Sequence, residues 1–457
     1  MAMAARPPTK LNWLIQARVT PPGRGRRVGW VGAVVLSDWA RTYVPFGGVP
    51  LGGIPLGQAG GPLAPAARLG GELAVTGVVA AAGVVLEMVA VAAARRWTQR
   101  AAAGRRSGPD RPSGRPLSEP RRAGPWLVAP LAGTVMLCLA VVLGGTFSPP
   151  GRAVGPLRVA AVQGGGRRGL RAIYSSSQAV LDAAVAETAT VQPPVDLVVW
   201  PEDVVAMDGP VAGTATDARI GRIAASLHAT VLAGVTEDVG PDRFRNAEVA
   251  WGPDGRIIGR YDKVHRVPFG EYVPGRSIIA HLVNLDVIPR EAIAGTGSGR
   301  LDTAGGPVGV AISFEVFFSA RSRSAIKAGG QVLLIPTNTA SYTTTQIPSS
   351  ELAAARLRAW ETGRDVVMAA PTGFTAIFDA QGHQRFRTRL GPPALLEATV
   401  TRRTGETPYV RYGDRPTVAG AALLVGLGWA LARRSRGPSD GPDPTSPLDR
   451  AVNTDQP

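Results

Sequence analysis

Cysteine is almost absent. Cys138 is the single one in 457 residues, and it sits inside an apolar run. One thiol can build neither a disulfide framework nor a cysteine zinc cluster. Histidine is scarce too. His228, His265, His281 and His383 show no metal-ligand spacing, and a surface or packed imidazole accounts for each. Aromatics are only 6% of the chain, and 34 acidic residues face 50 Lys and Arg, a net charge of +16. Such a balance invites a nucleic-acid reading, but nucleic-acid binding wants a basic face interleaved with stacking aromatics. Here the excess is mostly Arg in short blocks beside apolar runs, the pattern of charges flanking membrane spans. No nucleic-acid partner is expected.

What is present in quantity is Gly (57), Pro (40) and long apolar stretches. Residues 1–27 are basic and Pro/Gly-rich and read as a disordered cytoplasmic tail. A helical membrane region is expected over 28–148, with spans near 28–45, 73–94 and 126–147. Leu73–Ala94 is apolar apart from Thr76 and Glu87, which meets the roughly 20 residues a bilayer crossing needs. The first of these spans is weak: its apolar run is Val28–Trp39, ending at Asp38 and Arg41. A last span is expected over 416–432, followed by a disordered cytoplasmic tail over 433–457. A buried core helix is the competing reading of any one run. Charge favours the membrane. Arg95–Arg122 carries nine Arg against two acids, Arg18, Arg24, Arg26 and Arg27 precede the first span, and Arg433, Arg434 and Arg436 follow the last. Positive loops stay cytoplasmic. One topology satisfies all three clusters: a multi-pass plasma-membrane protein with both termini inside and residues 150–410 outside. No small-residue cleavage site of a removed signal peptide stands out.

Residues 156–403 have a different texture. Strands are predicted at Arg158–Gln163, Asp196–Trp200, Val231–Val235, Val308–Ser313, Val332–Pro336, Val366–Ala370 and Thr375–Asp379. Ala247–Trp251 and Arg256–Tyr261 form a hairpin around Gly252–Gly255. Helices are predicted over Ala179–Ala189 and Glu351–Arg364. Alternating β and α elements give an α/β layered domain. Gly164–Gly169 fits G-x-G-x-x-G after a strand, but the nearest acid, Glu187, sits in a helix, so this is read as a loop and no dinucleotide is expected.

Three strand ends each offer one polar group. Glu202 follows Val198-Val199-Trp200-Pro201, Lys263 follows the hairpin, and Ser313 ends its strand with Phe314-Glu315 next. Strand C-termini are where α/β proteins gather ligands and catalytic groups. A carboxylate can take a nucleophile's proton, and an ammonium can stabilise an oxyanion. Three unrelated strand-end residues remain the plain alternative on these residues alone.

The wording around them points further. Trp200-Pro201-Glu202, the Y-x-K-x-H-x-V-P-F-G-E-Y-V-P run from Tyr261 to Pro274, R-x-R-A-x-E-x-x-R over Arg356–Arg364 and T-G-E-T-P-Y over 404–409 resemble the apolipoprotein N-acyltransferases. These are the membrane-bound branch of the carbon–nitrogen hydrolase (nitrilase) superfamily. Ser37–Arg41 and Pro55–Ala64 resemble that family's fourth helix and following loop, so the match runs over roughly 30–432 and lacks about three N-terminal spans. The resemblance implies a four-layer αββα sandwich attached to transmembrane helices, with no metal and no cofactor. It implies transfer of a phospholipid acyl chain to the N-terminal amine of a diacylglyceryl-cysteine lipoprotein, through an acyl-enzyme, at the outer membrane face. By the same resemblance Glu202 is the general base. Lys263 polarises the carbonyl, with the backbone N–H of Phe314. Glu271 orients Lys263, and Glu315 lies beside the nucleophile. Trp200, Asn338 and Tyr342 are expected to line the substrate site.

Two departures stand out. The family's nucleophile is a cysteine, and Ser313 stands in its place. A hydroxyl ionises far above a thiol's pKa of ~8.5, so an ordinary carboxylate deprotonates it poorly. The family's N-D-x-W-F-G is here Asn338-Thr339-Ala340-Ser341-Tyr342-Thr343, which keeps the Asn and loses the acid, the Trp and the Gly. Two further readings therefore stay open: a chain without turnover that keeps a binding or regulatory role, and nitrilase-like amide hydrolysis.

Overall fold

The structure is a computed structural model that describes residues 23–104, 125–169, 176–279 and 290–435, with Gln16, 18–21 and His281 besides. Most of both expected tails lies outside the described residues. The first sheet uses β1 (Arg152–Gln163), β2 (Leu197–Val199), β3 (Val205–Met207), β4 (Thr230–Asp238), β5 (Arg243–Trp251), β6 (Ile257–Asp262), β7 (Glu291–Ala292) and β14 (Ala394–Thr404). Its order is β14-β1-β2-β4-β5-β6, with β3 on β4 and β7 on β5. The second sheet runs β13 (Gln384–Arg387), β12 (Ala376–Phe378), β11 (Val366–Ala369), β10 (Leu333–Pro336), β9 (Gly306–Val310), β8 (Arg300–Thr303). β1, β2 and β4 pair in parallel, as do β9, β10 and β11; β3 and β7 also join in parallel, and the other pairs are antiparallel. Both sheets are therefore mixed.

Side-chain alternation sorts the layers. Along β1, Leu157, Val159 and Ala161 face the second sheet, where they meet Val308, Val310, Leu334 and Val367. Ala160 and Val162 face the other way, onto α4 (Ser177–Thr188) and α5 (Ala215–Leu227). The period of two makes both faces apolar, so each strand serves two cores at once. The second sheet's outer face is covered by α6 (Ser319–Lys327) and α7 (Ile347–Thr362). The result is helix, sheet, sheet, helix. Ser176 and Thr214 cap α4 and α5, and Gly363 ends α7 in the left-handed region.

The remaining long helices are α1 (Arg26–Ala40), α2 (Ala67–Gly104), α3 (Pro125–Phe147) and α8 (Arg415–Ser435). Ala64–Ala101 and Arg415–Arg434 are long and apolar enough to cross a membrane, and Leu131–Phe147 is a shorter apolar stretch. Leu86, Met136, Leu137, Leu423 and Leu427 are exposed on them, as lipid-facing residues would be. Within the region expected near 28–45, the helix ends beside the two charges read as its limit in the sequence. α1 stops at Ala40, where Asp38 and Arg41 form a buried ion pair. α1 and α8 pack antiparallel through glycine. A Cβ on Gly32 would meet the Ala421 carbonyl, and one on Gly25 that of Gly428.

A charged knot joins these helices to the sandwich. Arg358 on α7 reaches Glu72 on α2 at 2.6 Å and Glu361 at 3.2 Å, and it bonds Ser319. The backbone N–H of Glu72 donates to Glu361 at 2.9 Å. The R-x-R-A-x-E-x-x-R wording thus marks an internal joint. Arg358→Ala leaves two carboxylates without their cation. It should destabilise the folded chain by about 3–5 kcal/mol, read as a lowered thermal midpoint in detergent.

Candidate active site

Three loops at strand ends build the site. After β2 the chain turns at Pro201, and Glu202 is carried inward. β4 passes so close that a Cβ on Gly234 would meet the Glu202 Cα and the Pro201 carbonyl. Only glycine permits that approach. After β6, Lys263 enters from the hairpin. Its backbone N–H donates to Asn246 across the ladder at 2.9 Å. The Lys263 ammonium, 2% exposed, lies 2.8 Å from Glu202 and 2.8 Å from Glu271. Asn246 donates to the same two oxygens at 2.8 and 3.1 Å. Glu271 is fixed in turn by the backbone N–H of Val267 at 2.7 Å.

Ser313 is not the last residue of its strand. β9 ends at Val310, and Ser313 opens a short 3₁₀ turn, Ser313–Phe317. Its φ is +49°, a conformation non-glycine residues rarely adopt. Backbone strain of this kind persists where the surroundings over-determine it. Glu315 is what holds it. Its carboxylate accepts from the Ile312 N–H at 2.9 Å, the Val264 N–H at 2.8 Å, the His265 N–H at 3.1 Å and the Tyr261 hydroxyl at 2.9 Å. One carboxylate therefore ties the lysine loop to the serine turn.

Burial sets the titration of these groups. Loss of solvent raises Glu202 to about 7 against the pull of Lys263, with Asp203 and Glu271 adding to the rise. Lys263 is also desolvated, but Glu202 and Glu271 outweigh that and raise it above its ordinary value, so it stays charged. His265 is pushed down to about 4 by burial and by Arg321, and its ring stacks on Phe318. It is a neutral, packed imidazole.

The expected substrate residues divide. Asn338 lines a cleft of about 610 Å³, together with Asp203, Gly164–Gly166, Ser341 and Thr372. Tyr342 is 47% exposed on the turn beyond. Trp200 is a correction. It is fully buried in the core between the first sheet and its helices, with its indole N–H on Thr188 at 2.8 Å. It continues the outward alternation of Val198, and the chain has left the strand before Glu202 is reached. Phe314 packs in the core beside α7, against Phe318.

Sequence reasoning missed Asn246, Glu248 and Glu351. Asn246 had a signal: in the hairpin's register it faces the Lys263 strand end. Glu248 is fully buried, and neither carboxyl oxygen has a hydrogen-bond partner. Burial, then Glu202, pushes it well above the carboxylate range. A carboxyl with a raised folded-state pKa adds stability at low pH and loses it as the pH climbs through that value. Glu248→Met should therefore flatten the alkaline fall in stability, with a gain of about 1–3 kcal/mol at high pH. Chemical denaturation from pH 6 to 9.5 checks this.

Residues 158–408 match the carbon–nitrogen hydrolase family. The chain is 31% identical over 384 residues to the apolipoprotein N-acyltransferase of Mycolicibacterium smegmatis, covering 81% of this chain and 62% of that one. It is 31% identical over 329 residues to that of Geobacter metallireducens, covering 69% and 62%. The chain thus spans about three-fifths of the length of these curated relatives. Among solved structures, a branch 10 member of the nitrilase superfamily from Saccharomyces cerevisiae aligns with TM-score 0.43 and 20% identity, over 56% of this chain and 92% of that one. An amidase from Nesterenkonia aligns with TM-score 0.41 and 18% identity, over 57% and 94%.

Proposed function

The chain belongs to the carbon–nitrogen hydrolase family, and from that premise we propose that it is a membrane N-acyltransferase. In this reading it moves a phospholipid acyl chain, through an ester on Ser313, to the N-terminal amine of a diacylglyceryl lipoprotein. The observation that carries the reading is the buried Lys263 held 2.8 Å from two carboxylates and tied through Glu315 to the strained Ser313 turn. The curated relatives named above, matched across helices as well as sandwich, supply the substrate class.

The chemistry follows from the groups. Lys263 is a fixed cation that needs no reorganisation when a carbonyl oxygen becomes an oxyanion. The Phe314 backbone N–H is the second donor in this reading. Glu202, near 7, exchanges protons at working pH and is the general base. Glu271 and Asn246 aim Lys263, and Glu315 sets the Ser313 turn. Ser313 takes the position the family gives to cysteine. Asn338 and Tyr342 border the entry of substrate.

The test is an acyl-enzyme trap. The purified full chain is incubated with radiolabelled phospholipid and a synthetic diacylglyceryl lipopeptide. The reading requires a Ser313 ester by mass spectrometry and label on the peptide amine. Ammonia release from simple amides without ester transfer would replace it with amidase chemistry. Neither product would leave a chain with a binding role.

The same reading places residues 150–410 on the extracytoplasmic side of a multi-pass plasma-membrane protein, supported by the three Arg clusters. In a Cys138→Ala background, single cysteines at Ser298 and Ser113 should label from opposite sides with an impermeant thiol reagent in intact cells. Labelling from one side overturns the topology.

A further inference from the structure

Glu315 is surrounded by donors. The Val264 and His265 N–H groups, which follow Lys263, end on it, and so does the Ile312 N–H, which precedes Ser313. The Tyr261 hydroxyl donates to both carboxylate oxygens at 2.9 Å. A protonated carboxyl would have to donate a bond of its own, and none of the three amides can accept one. Holding both loops therefore needs the carboxylate, in a place where Glu315 is wholly buried. A buried charge needs a partner.

Lys263 is not that partner, because its ammonium is paired with Glu202 and Glu271. His265, pushed down to about 4 by burial, carries no charge. Among the described residues, the cation within ion-pair distance of Glu315 is Arg321, in the first turn of α6. Its Nε lies 3.6 Å from the Glu315 oxygen. Its Nη2 donates to the Tyr261 hydroxyl oxygen at 2.7 Å and to the Gly297 carbonyl at 2.8 Å. The first of these bonds occupies the Tyr261 oxygen and leaves the hydroxyl proton to Glu315. Nε is buried and makes no hydrogen bond, so it acts on Glu315 through charge. A cation in the first turn opposes the helix dipole, so the electrostatics of α6 do not account for this arginine.

We propose that Arg321 is a positioning residue: through Glu315 and Tyr261 it locks the lysine loop to the serine turn, and so sets Ser313 against Lys263. It touches neither substrate nor the reacting atoms. The proposal rests on the acyl-enzyme reading and deepens it, adding the group that holds the nucleophile in register with its oxyanion donor. It also gives the first residue of Tyr261-Asp262-Lys263 a task. The Tyr261 ring is packed between the sheets, and its hydroxyl bridges guanidinium and carboxylate two residues before the lysine.

The experiment follows Ser313 ester formation by the purified full chain, with radiolabelled phospholipid in mixed micelles. Arg321→Met should lower kcat at least about a hundredfold, the cost of a misplaced reacting group, with little change in KM for phospholipid. Arg321→Lys keeps the charge without the planar fork and should recover part of the rate. In a Glu315→Gln background, Arg321→Met should cost less than about threefold, because its effect passes through the carboxylate. Equal losses in the two backgrounds, or a loss in KM alone, would make Arg321 a prop for the fold and overturn the proposal. So would an unchanged kcat in a folded Arg321→Met chain. Hydrogen exchange judges the lock without turnover. In the Arg321→Met chain the Val264, His265 and Ile312 amides should lose protection together, on the order of tenfold, while β10 keeps its own. Loss at one loop alone, or at neither, overturns the proposal. If Arg321→Met does not fold, Arg321→Gln, which keeps an amide donor without the charge, replaces it in both measurements. Absence of any ester on the intact chain would sink the acyl-enzyme reading, and the exchange result would then decide the lock by itself.

Discussion

Ser313→Cys should raise acyl transfer at least about tenfold, the equivalent of ~1.4 kcal/mol in the barrier. The exchange is nearly isosteric, at a position whose left-handed φ is imposed by Glu315 and the loops around it. The scaffold should therefore hold. A thiolate is more accessible and more polarisable than an alkoxide, and a thioester is the more reactive acyl donor toward an amine. Both half-reactions gain. The measurement is transfer of labelled acyl chain from phospholipid to a diacylglyceryl lipopeptide, alongside a folding control. No gain in a well-folded variant would place the defect in the Thr339–Tyr342 segment, where the family's acid and Trp are missing, and would favour a binding role. A sharp loss from measurable activity would show a site built around oxygen, with the serine as its best nucleophile.

Lys263→Met should be the most damaging single change. It removes the cation of the proposed oxyanion site, a loss expected to cost at least about a hundredfold in rate. It also leaves Glu202 and Glu271 buried against one another, which costs about 3–5 kcal/mol of stability. The pH dependence has a definite sign. Glu202 is already raised to about 7 by burial, and losing Lys263 raises it further. A carboxyl with a raised folded-state value binds more protons folded than unfolded, so the variant's stability falls as pH rises through that value. The deficit should be small near pH 5 and large near pH 8. Adding Glu202→Gln should recover stability and no activity. Recovery of activity by that pair would show that Lys263 serves only as a counter-ion.

Much of the fold was legible because it depends on local periodicity. β1, β4, the β5–β6 hairpin, β10 and α7 lie where alternation, turn residues and helical spacing put them, with ends moved by a few residues. One exception is instructive. The strand expected to run to Ser313 stops at Val310 because Ser313 is held at positive φ, and no one-dimensional pattern encodes that constraint. α1 stops at Ala40, beside the Asp38 and Arg41 charges where the sequence ends the apolar run, and the fold adds their partners: each other, and Thr76 for Asp38.

The sequence by itself determined the layered α/β class, the apolar helices, the family, and the three polar groups at strand ends. Each of those rests on residues close together in the chain. Only the tertiary structure decided which groups meet. It gave Glu315 to the backbone of two loops, turned Trp200 into the outer core, put Asn246 between two carboxylates, and set Glu351 on the Thr337 hydroxyl. The physical reason is that burial and hydrogen-bond partnership come from elements far apart in sequence. Glu202, Glu248 and Glu351 are written with one letter. Their different chemistry comes from the partners that packing supplies: a lysine for the first, none for the second, and a threonine hydroxyl for the third.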